Sequence, residues 1–231
     1  MLQIVKNYTG DVTNFRIAEK LLQSEGHDVA AVLVADDVAS SHSTIGRRGT
    51  GAAVFVEKIA GACAERGDSL AQVRDLAQRA SDGSASIGVA LAPCAAPGGA
   101  PLFDLGPDEI EIGIGIHGEK GTRRERWRPV NEIVASLLDA LLDALTPSSG
   151  SGLLALVNGM GATPLMELYL LYGVLQDQLA ERGLTITRSL VGSYVTSLDM
   201  AGASVSLLEL DDELTDLWDA PVATPALRWG C

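Results

Sequence analysis

The sequence predicts an α/β protein in two parts, an N-terminal α/β unit over residues 1–82 and a second α/β domain with a mixed sheet over residues 83–231. Three observations carry this. Apolar runs of strand length alternate with helically spaced apolar residues along the whole chain, the pattern of α/β folds. The first two such runs flank a helical segment, so they form a β-α-β unit with its strands parallel. The polar cluster Ser81-Asp82-Gly83-Ser84 has no apolar partner and marks the boundary between the parts.

The elements follow in order. Leu2 to Val5 is a strand that stops at the loop Lys6-Asn7-Tyr8-Thr9-Gly10-Asp11, and Phe15 to Leu22 is helical. Val29 to Ala35 is the parallel strand, ending in the acidic pair Asp36-Asp37. From Ser40 to Gly51 the chain turns polar and glycine-rich around Arg47-Arg48-Gly49, a loop over a surface, before Val54, Ile59 and Ala62 resume helical spacing. A further helix has Asp68 as N-cap and Leu70, Val73, Leu76 and Ala77 on one face.

In the second domain Ser86 to Leu91 is a strand and Pro93 to Pro101 a loop. Glu109 to Ile116 is a strand whose strict alternation puts Ile110, Ile112, Ile114 and Ile116 on one side. The helix after Pro129, capped by Asn131, buries a stripe from Ile133 to Leu145 against a sheet. Leu153 to Val157 is a strand, and Thr163-Pro164 starts a helix that buries Leu165, Leu168, Tyr172, Leu175 and Leu179 and stops at Gly183. Thr185 to Val191 and Ala203 to Leu210 are the remaining strands.

Composition narrows the function. A hydrophobic content of 47% over 231 residues supplies a packed core. With 17 basic against 30 acidic residues the net charge is −13, which repels a phosphate backbone and argues against nucleic acid as a partner. The opening MLQIVKNYTGDV has no leader pattern and no stretch has the length of a membrane span, so the expected address is the cytoplasm, away from membranes. Cys63, Cys94 and Cys231 are widely spaced and read as free thiols. His27, His42 and His117 lack metal-ligand spacing, so no metal site is expected.

Three glycine-rich turns are candidates for chemistry. In Gly113-Ile114-Gly115-Ile116-His117-Gly118-Glu119-Lys120-Gly121 a strand delivers His117 into a turn where glycines leave room for a small molecule. The bland alternative is a histidine bonded to a backbone carbonyl at a strand end. Lys6 and Asp11 share one loop at the carboxyl end of a parallel strand, where α/β sheets place ligands; they orient and deprotonate a hydroxyl, or form a surface ion pair. Asn158 to Pro164 lacks the lysine of a P-loop and reads as a packing turn. Arg123-Arg124-Glu125-Arg126 is a solvated face or docking edge.

Six blocks in order resemble the substrate-binding subunit or domain of dihydroxyacetone (glycerone) kinases: VKNYTGDVTNF at 5–15, STIGRRGTG at 43–51, GVALAPC at 88–94, EIGIGIHGEKG at 111–121, LVNGMGATPLMELY at 156–169 and DAPVATPAL at 219–227. The resemblance implies that His117 adds through a ring nitrogen to the ketone carbon of dihydroxyacetone, giving a covalent hemiaminal that glycerol cannot form. It implies that Lys6 and Asp11 contact the substrate hydroxyls, Asp11 as the base for the one phosphorylated. An aspartate is a weak base at neutral pH, which a loose phosphoryl-transfer transition state tolerates.

The resemblance also implies that ADP or ATP with magnesium sits on a separate helical kinase subunit, so that this chain binds no cofactor itself; a homodimer is the expected assembly. The family carries a preceding stretch of sheet and a Gly-His-Glu-Pro loop, so the first domain reads as truncated, exposing edge strand and apolar surface, which predicts instability, dimer dependence, or a partner such as a separate N-terminal fragment that supplies the lost strands. Lys120 stands where the family usually has proline. Three functions fit: the kinase subunit, a non-catalytic dihydroxyacetone-binding sensor, and another carbonyl-histidine enzyme acting on a small aldehyde or ketone.

Overall fold

The computed structural model describes residues 1–230; Cys231 lies outside the described residues. Strand β1 (Leu2–Lys6), helix α1 (Thr9–Ser24) and strand β2 (Ala30–Val34) form the expected β-α-β unit, with β1 and β2 parallel and Leu2 opposite Ala30. The helix starts earlier than its apolar spacing indicates, so Thr9 to Asp11 are its first turn and only Asn7 and Tyr8 remain as loop. After β2 come a 3-10 turn at Val38–Ser40, α2 (Ala52–Glu65) and α3 (Leu70–Asp82).

The second part holds β3 (Ser84–Ala90), β4 (Glu109–Ile112), β5 (Arg123–Arg126), α4 (Val130–Leu145), β6 (Gly152–Gly159), α5 (Leu165–Glu181), β7 (Thr185–Gly192), β8 (Gly202–Leu210) and α6 (Asp212–Asp219). A short antiparallel pair, β9 (Val222–Ala223) and β10 (Arg228–Trp229), follows. Six strands form one mixed sheet in the order β5-β4-β3-β8-β6-β7, with β6 and β7 parallel and the other neighbours antiparallel.

Alternation along β6 explains the layers. Leu154 and Leu156 face a core filled by α2, α3, α6 and β2, in which Phe55 and Trp218 are fully buried. Leu153, Ala155 and Val157 face the opposite core, filled by α4 and α5. Val32 and Val34 of β2 thus share a core with the large sheet, and the backbone N–H of Ser86 donates to the Asp36 carbonyl at 2.8 Å, tying the end of β2 to β3. No helix among the described residues is long and apolar enough to cross a membrane.

Several local expectations are corrected. Strand β4 stops at Ile112, because Gly113 turns at φ 79° and donates its N–H to the Gly88 carbonyl. Ile114 then joins a small third cluster with Ala90, Cys94, Met160 and Met200. Helix α3 is capped by Ser69 in a capping box with Gln72, whereas Asp68 accepts from Arg66 and the Cys63 thiol. Helix α4 has Pro129 as its N-cap and no side-chain cap from Asn131. Thr163 does not cap α5 either: its hydroxyl bonds both the N–H and the carbonyl of Gly202. Leu165 is 53% exposed, and Leu171 takes its place in the buried stripe.

Candidate functional site

The first loop, the 41–51 loop, the end of β2 and the histidine turn converge at one place. Asn7 donates from its side-chain nitrogen to the carbonyls of Ile45 and Arg47, at 2.9 and 2.7 Å. Gly49 passes so close beneath that a Cβ would come within 2.8 Å of Lys6 Cα and 2.7 Å of Asn7 N, so only glycine fits. The 41–51 segment is therefore not a simple surface loop. Ser41 to Ile45 are exposed, but Arg48, Gly49, Thr50 and Gly51 are buried.

Both members of the acidic pair are buried and engaged. Asp36 accepts from the backbone N–H of Thr50 and Ala52 and from the Thr50 hydroxyl, pinning the start of α2. Asp37 takes Arg48 Nε at 2.7 Å and Nη2 at 2.5 Å, and the N–H of Ala39 at 3.0 Å. Burial pushes the Asp37 carboxyl up to about 6, against the lowering effect of Arg48.

His117 sits on the turn after β4 with its side chain 62% exposed. Its Nδ1 lies 2.8 Å from Glu119 Oε1, and its backbone N–H donates to Glu119 Oε2 at 2.9 Å. The imidazole thus bonds a carboxylate two residues on, not a strand-end carbonyl. Burial raises the Glu119 pKa, but the hydrogen bonds from the His117 ring and backbone outweigh it and hold the carboxyl below its ordinary value. With Nδ1 engaged, Nε2 is the nitrogen left to an incoming group.

The turn is closed on both sides of Lys120. Gly115 N donates to the Glu119 carbonyl at 2.9 Å, and Gly121 N donates to the buried Glu111 carboxylate at 2.8 Å. Glu111 in turn pairs with Arg124 of β5 at 2.9 Å, so the arginine-rich segment is an edge strand bracing this turn. Gly118, at φ 82°, packs where a Cβ would meet Leu102, Phe103 and Cys94.

The structure joins the first loop to His117 through Tyr8, a residue not expected at the site. The two rings stand edge to face, with centroids 4.9 Å apart at 80°. The Tyr8 hydroxyl is buried without a hydrogen-bond partner, and burial followed by the charge of Glu119 raises its pKa. Lys6 ends β1 and Asp11 lies in the first turn of α1, both half-buried; among the described residues their side chains form no ion pair with each other or with any neighbour. Sequence reasoning missed Tyr8, Asp37, Arg48 and Glu119. Glu119 had a local signal, its place two residues after the histidine.

The 158–164 turn does serve packing: Asn158 is buried and accepts the backbone N–H groups of Tyr194 and Val195. Among the described residues no group of three or more His, Cys, Asp or Glu side chains is placed to hold a metal ion. Cys63 and Cys94 are buried free thiols, as expected.

Comparison with known proteins places these features in context. The Dak1 domain family model matches residues 1–226. The chain is 44% identical to the dihydroxyacetone-binding subunit DhaK of the PEP-dependent dihydroxyacetone kinase of Escherichia coli (strain K12), over all of this chain and 72% of that one. It is 41% identical to L-erythrulose 1-kinase of Mycolicibacterium smegmatis, over 97% of this chain and 40% of that one. Among solved structures, the dihydroxyacetone kinase operon co-activator Dha-DhaQ superposes with a TM-score of 0.91 at 33% identity, covering 96% of this chain and 70% of that one. The native dihydroxyacetone kinase of C. freundii superposes with a TM-score of 0.87 at 31% identity, covering 99% and 42%.

Proposed function

Because the chain belongs to the Dak1 domain family, we propose that it is the dihydroxyacetone-binding part of a kinase, holding the ketone on His117 for phosphorylation by a helical partner that carries the nucleotide and magnesium. The observation that carries this reading is the His117–Glu119 pair, which commits Nδ1 and leaves Nε2 free on a solvent-facing turn. The relatives named for dihydroxyacetone and L-erythrulose share one chemical class, a small ketone flanked by a hydroxymethyl group.

In this reading the Nε2 lone pair forms a bond to the carbonyl carbon, and the C=O π pair moves to oxygen, which takes a proton from solvent water. The ring's Nδ1 proton, made acidic by the new bond, passes to Glu119 and from it to solvent, so neutral imidazole and neutral ketone give a neutral hemiaminal and Glu119 ends as the carboxylate it began as. Lys6 orients the substrate hydroxyls, and Asp11 accepts the proton of the hydroxyl that receives phosphate. Transfer itself depends on in-line positioning and charge stabilisation supplied by the partner's magnesium.

Two surfaces suit partners. Leu165, Met166, Tyr169 and Leu170 expose an apolar face of α5 beside Trp127, fit for a second copy in a homodimer. Exposed Phe15, Ile17, Leu21 and Leu33 leave one side of the β1–β2 pair uncovered, where further sheet, from this or a separate polypeptide, would dock.

A second reading is favoured by the TM-score of the operon co-activator: a sensor that captures dihydroxyacetone without phosphorylating it. Phosphorylation assays with a nucleotide-loaded helical kinase subunit separate the two. Turnover that disappears in Asp11→Asn supports the kinase; capture by wild type with no turnover supports the sensor.

A further inference from the structure

Arg48 has only 7% of its surface exposed, deep for a guanidinium. Asp37 binds its Nε and Nη2, and Nη2 also donates to the Gly113 carbonyl at 2.9 Å. Its Nη1 faces Glu119 Oε2 at 4.0 Å. The Gly113 carbonyl opens the histidine turn and Glu119 closes it, so one side chain from the 41–51 loop is hydrogen-bonded to the first end and paired by charge with the second. Gly115 makes this possible: a Cβ there would overlap the Glu119 carboxylate and lie 2.5 Å from Arg48 Nη1.

We infer that Arg48 is a positioning residue for His117: anchored by Asp37, it fixes the Gly113 and Glu119 ends of the turn, and through Glu119 it sets which ring nitrogen carries the proton. A guanidinium suits this task, because its planar fork serves a carboxylate and a carbonyl at once while its remaining arm faces a second carboxylate. The other ionisable neighbours are Tyr8, whose ring meets the imidazole, and Asp36, which is committed to Thr50 and Ala52. Arg48 therefore links the unit carrying Lys6, Tyr8 and Asp11 to the turn carrying His117. A shift of Arg48 displaces one half of the site relative to the other.

The consequence for substrate capture rests on the proposed function, but the effect on the ring does not. Nitrogen-15 NMR of the full chain, without substrate and with the imidazole neutral, reads the His117 tautomer directly. Wild type is expected to hold the proton on Nδ1. Arg48→Lys, which keeps the charge and loses the fork, is expected to move population to the Nε2–H form. So is the double variant Asp37→Asn/Arg48→Met, which removes both buried charges and leaves neither unpaired, giving the result should the single variant not fold. Dihydroxyacetone capture should weaken roughly ten- to a hundredfold in both, the scale of a misplaced reacting group. Folded variants that keep the Nδ1–H tautomer would overturn the inference, whatever wild type does with dihydroxyacetone. A tautomer change in a protein that captures no ketone would overturn the proposed function and leave the inference standing.

Discussion

The Tyr8 and His117 rings stand edge to face, 4.9 Å between centroids, and bring the first loop into contact with the histidine turn. Glu119 holds the same imidazole through Nδ1. One ring is thus held at one nitrogen and against one aromatic edge, an arrangement that fixes its plane before any ligand arrives.

Tyr8→Phe is expected to capture dihydroxyacetone as wild type does and to melt no lower, because the hydroxyl it loses is buried without a partner. Tyr8→Ala removes the edge contact; a pair of this kind is worth about 0.5–1.5 kcal/mol, so affinity should fall about two- to tenfold by calorimetry. Equal loss in both variants would assign a role to the hydroxyl instead of the ring.

Glu119→Gln should change the acid side of the stability profile. The Glu119 carboxyl is held below its ordinary value, so its contribution to folding is present above the unfolded-state pKa and is lost as pH falls through the lower folded value. The variant lacks that loss, and its melting temperature should decline less than that of wild type on acidification, as read by scanning calorimetry. Parallel acid limbs would show that the carboxylate gains nothing from His117.

Asp11→Asn should separate capture from transfer. Binding of dihydroxyacetone by the folded variant should stay within a few-fold of wild type, while phosphorylation with a helical kinase subunit falls by about 10²–10⁴, the usual contribution of a general base. Coupled-enzyme assay and calorimetry on the same preparation give both numbers.

Trp218→Ala tests the shared core. Trp218 is fully buried, stands edge to face with Phe55 at 5.8 Å between centroids, and lies under the Lys58 ammonium at 5.5 Å. Truncation should cost about 3–5 kcal/mol by denaturant titration. A loss under 1 kcal/mol, measured the same way and on the roughly additive scale of surface changes, would mean that this layer is not a cooperative core.

Much of the fold was legible because apolar runs and helical stripes report burial directly. The parallel β1 and β2 pair, the α4 stripe and strands β6 to β8 stand where the pattern puts them, whereas α1 begins earlier than its spacing indicates and buries none of its residues. The failures have particular causes. Ile114 continues the alternation of β4 although the strand has ended, because it serves the cluster with Met160 and Met200 beneath the turn. Strand β5 consists of charged residues whose place is set by pairing with Glu111 and its neighbours, which no apolar period reveals. Of the candidate site, His117 and its glycines stood out in the sequence. Arg48 was not, since a charged residue in a glycine-rich stretch reads as solvated; its burial follows from Asp37, which in sequence only closes a strand. The acidic pair set against Arg47-Arg48 was the signal available.

The central claim is that His117 Nε2 captures a ketone. Carbon-13 NMR of dihydroxyacetone labelled at the carbonyl carbon, mixed with the full chain, tests it most directly. The expected result is a new protein-bound tetrahedral carbon signal with wild type, absent with a folded His117→Ala variant. A bound ligand that keeps its trigonal carbonyl signal, or the same tetrahedral signal in His117→Ala, would contradict the account.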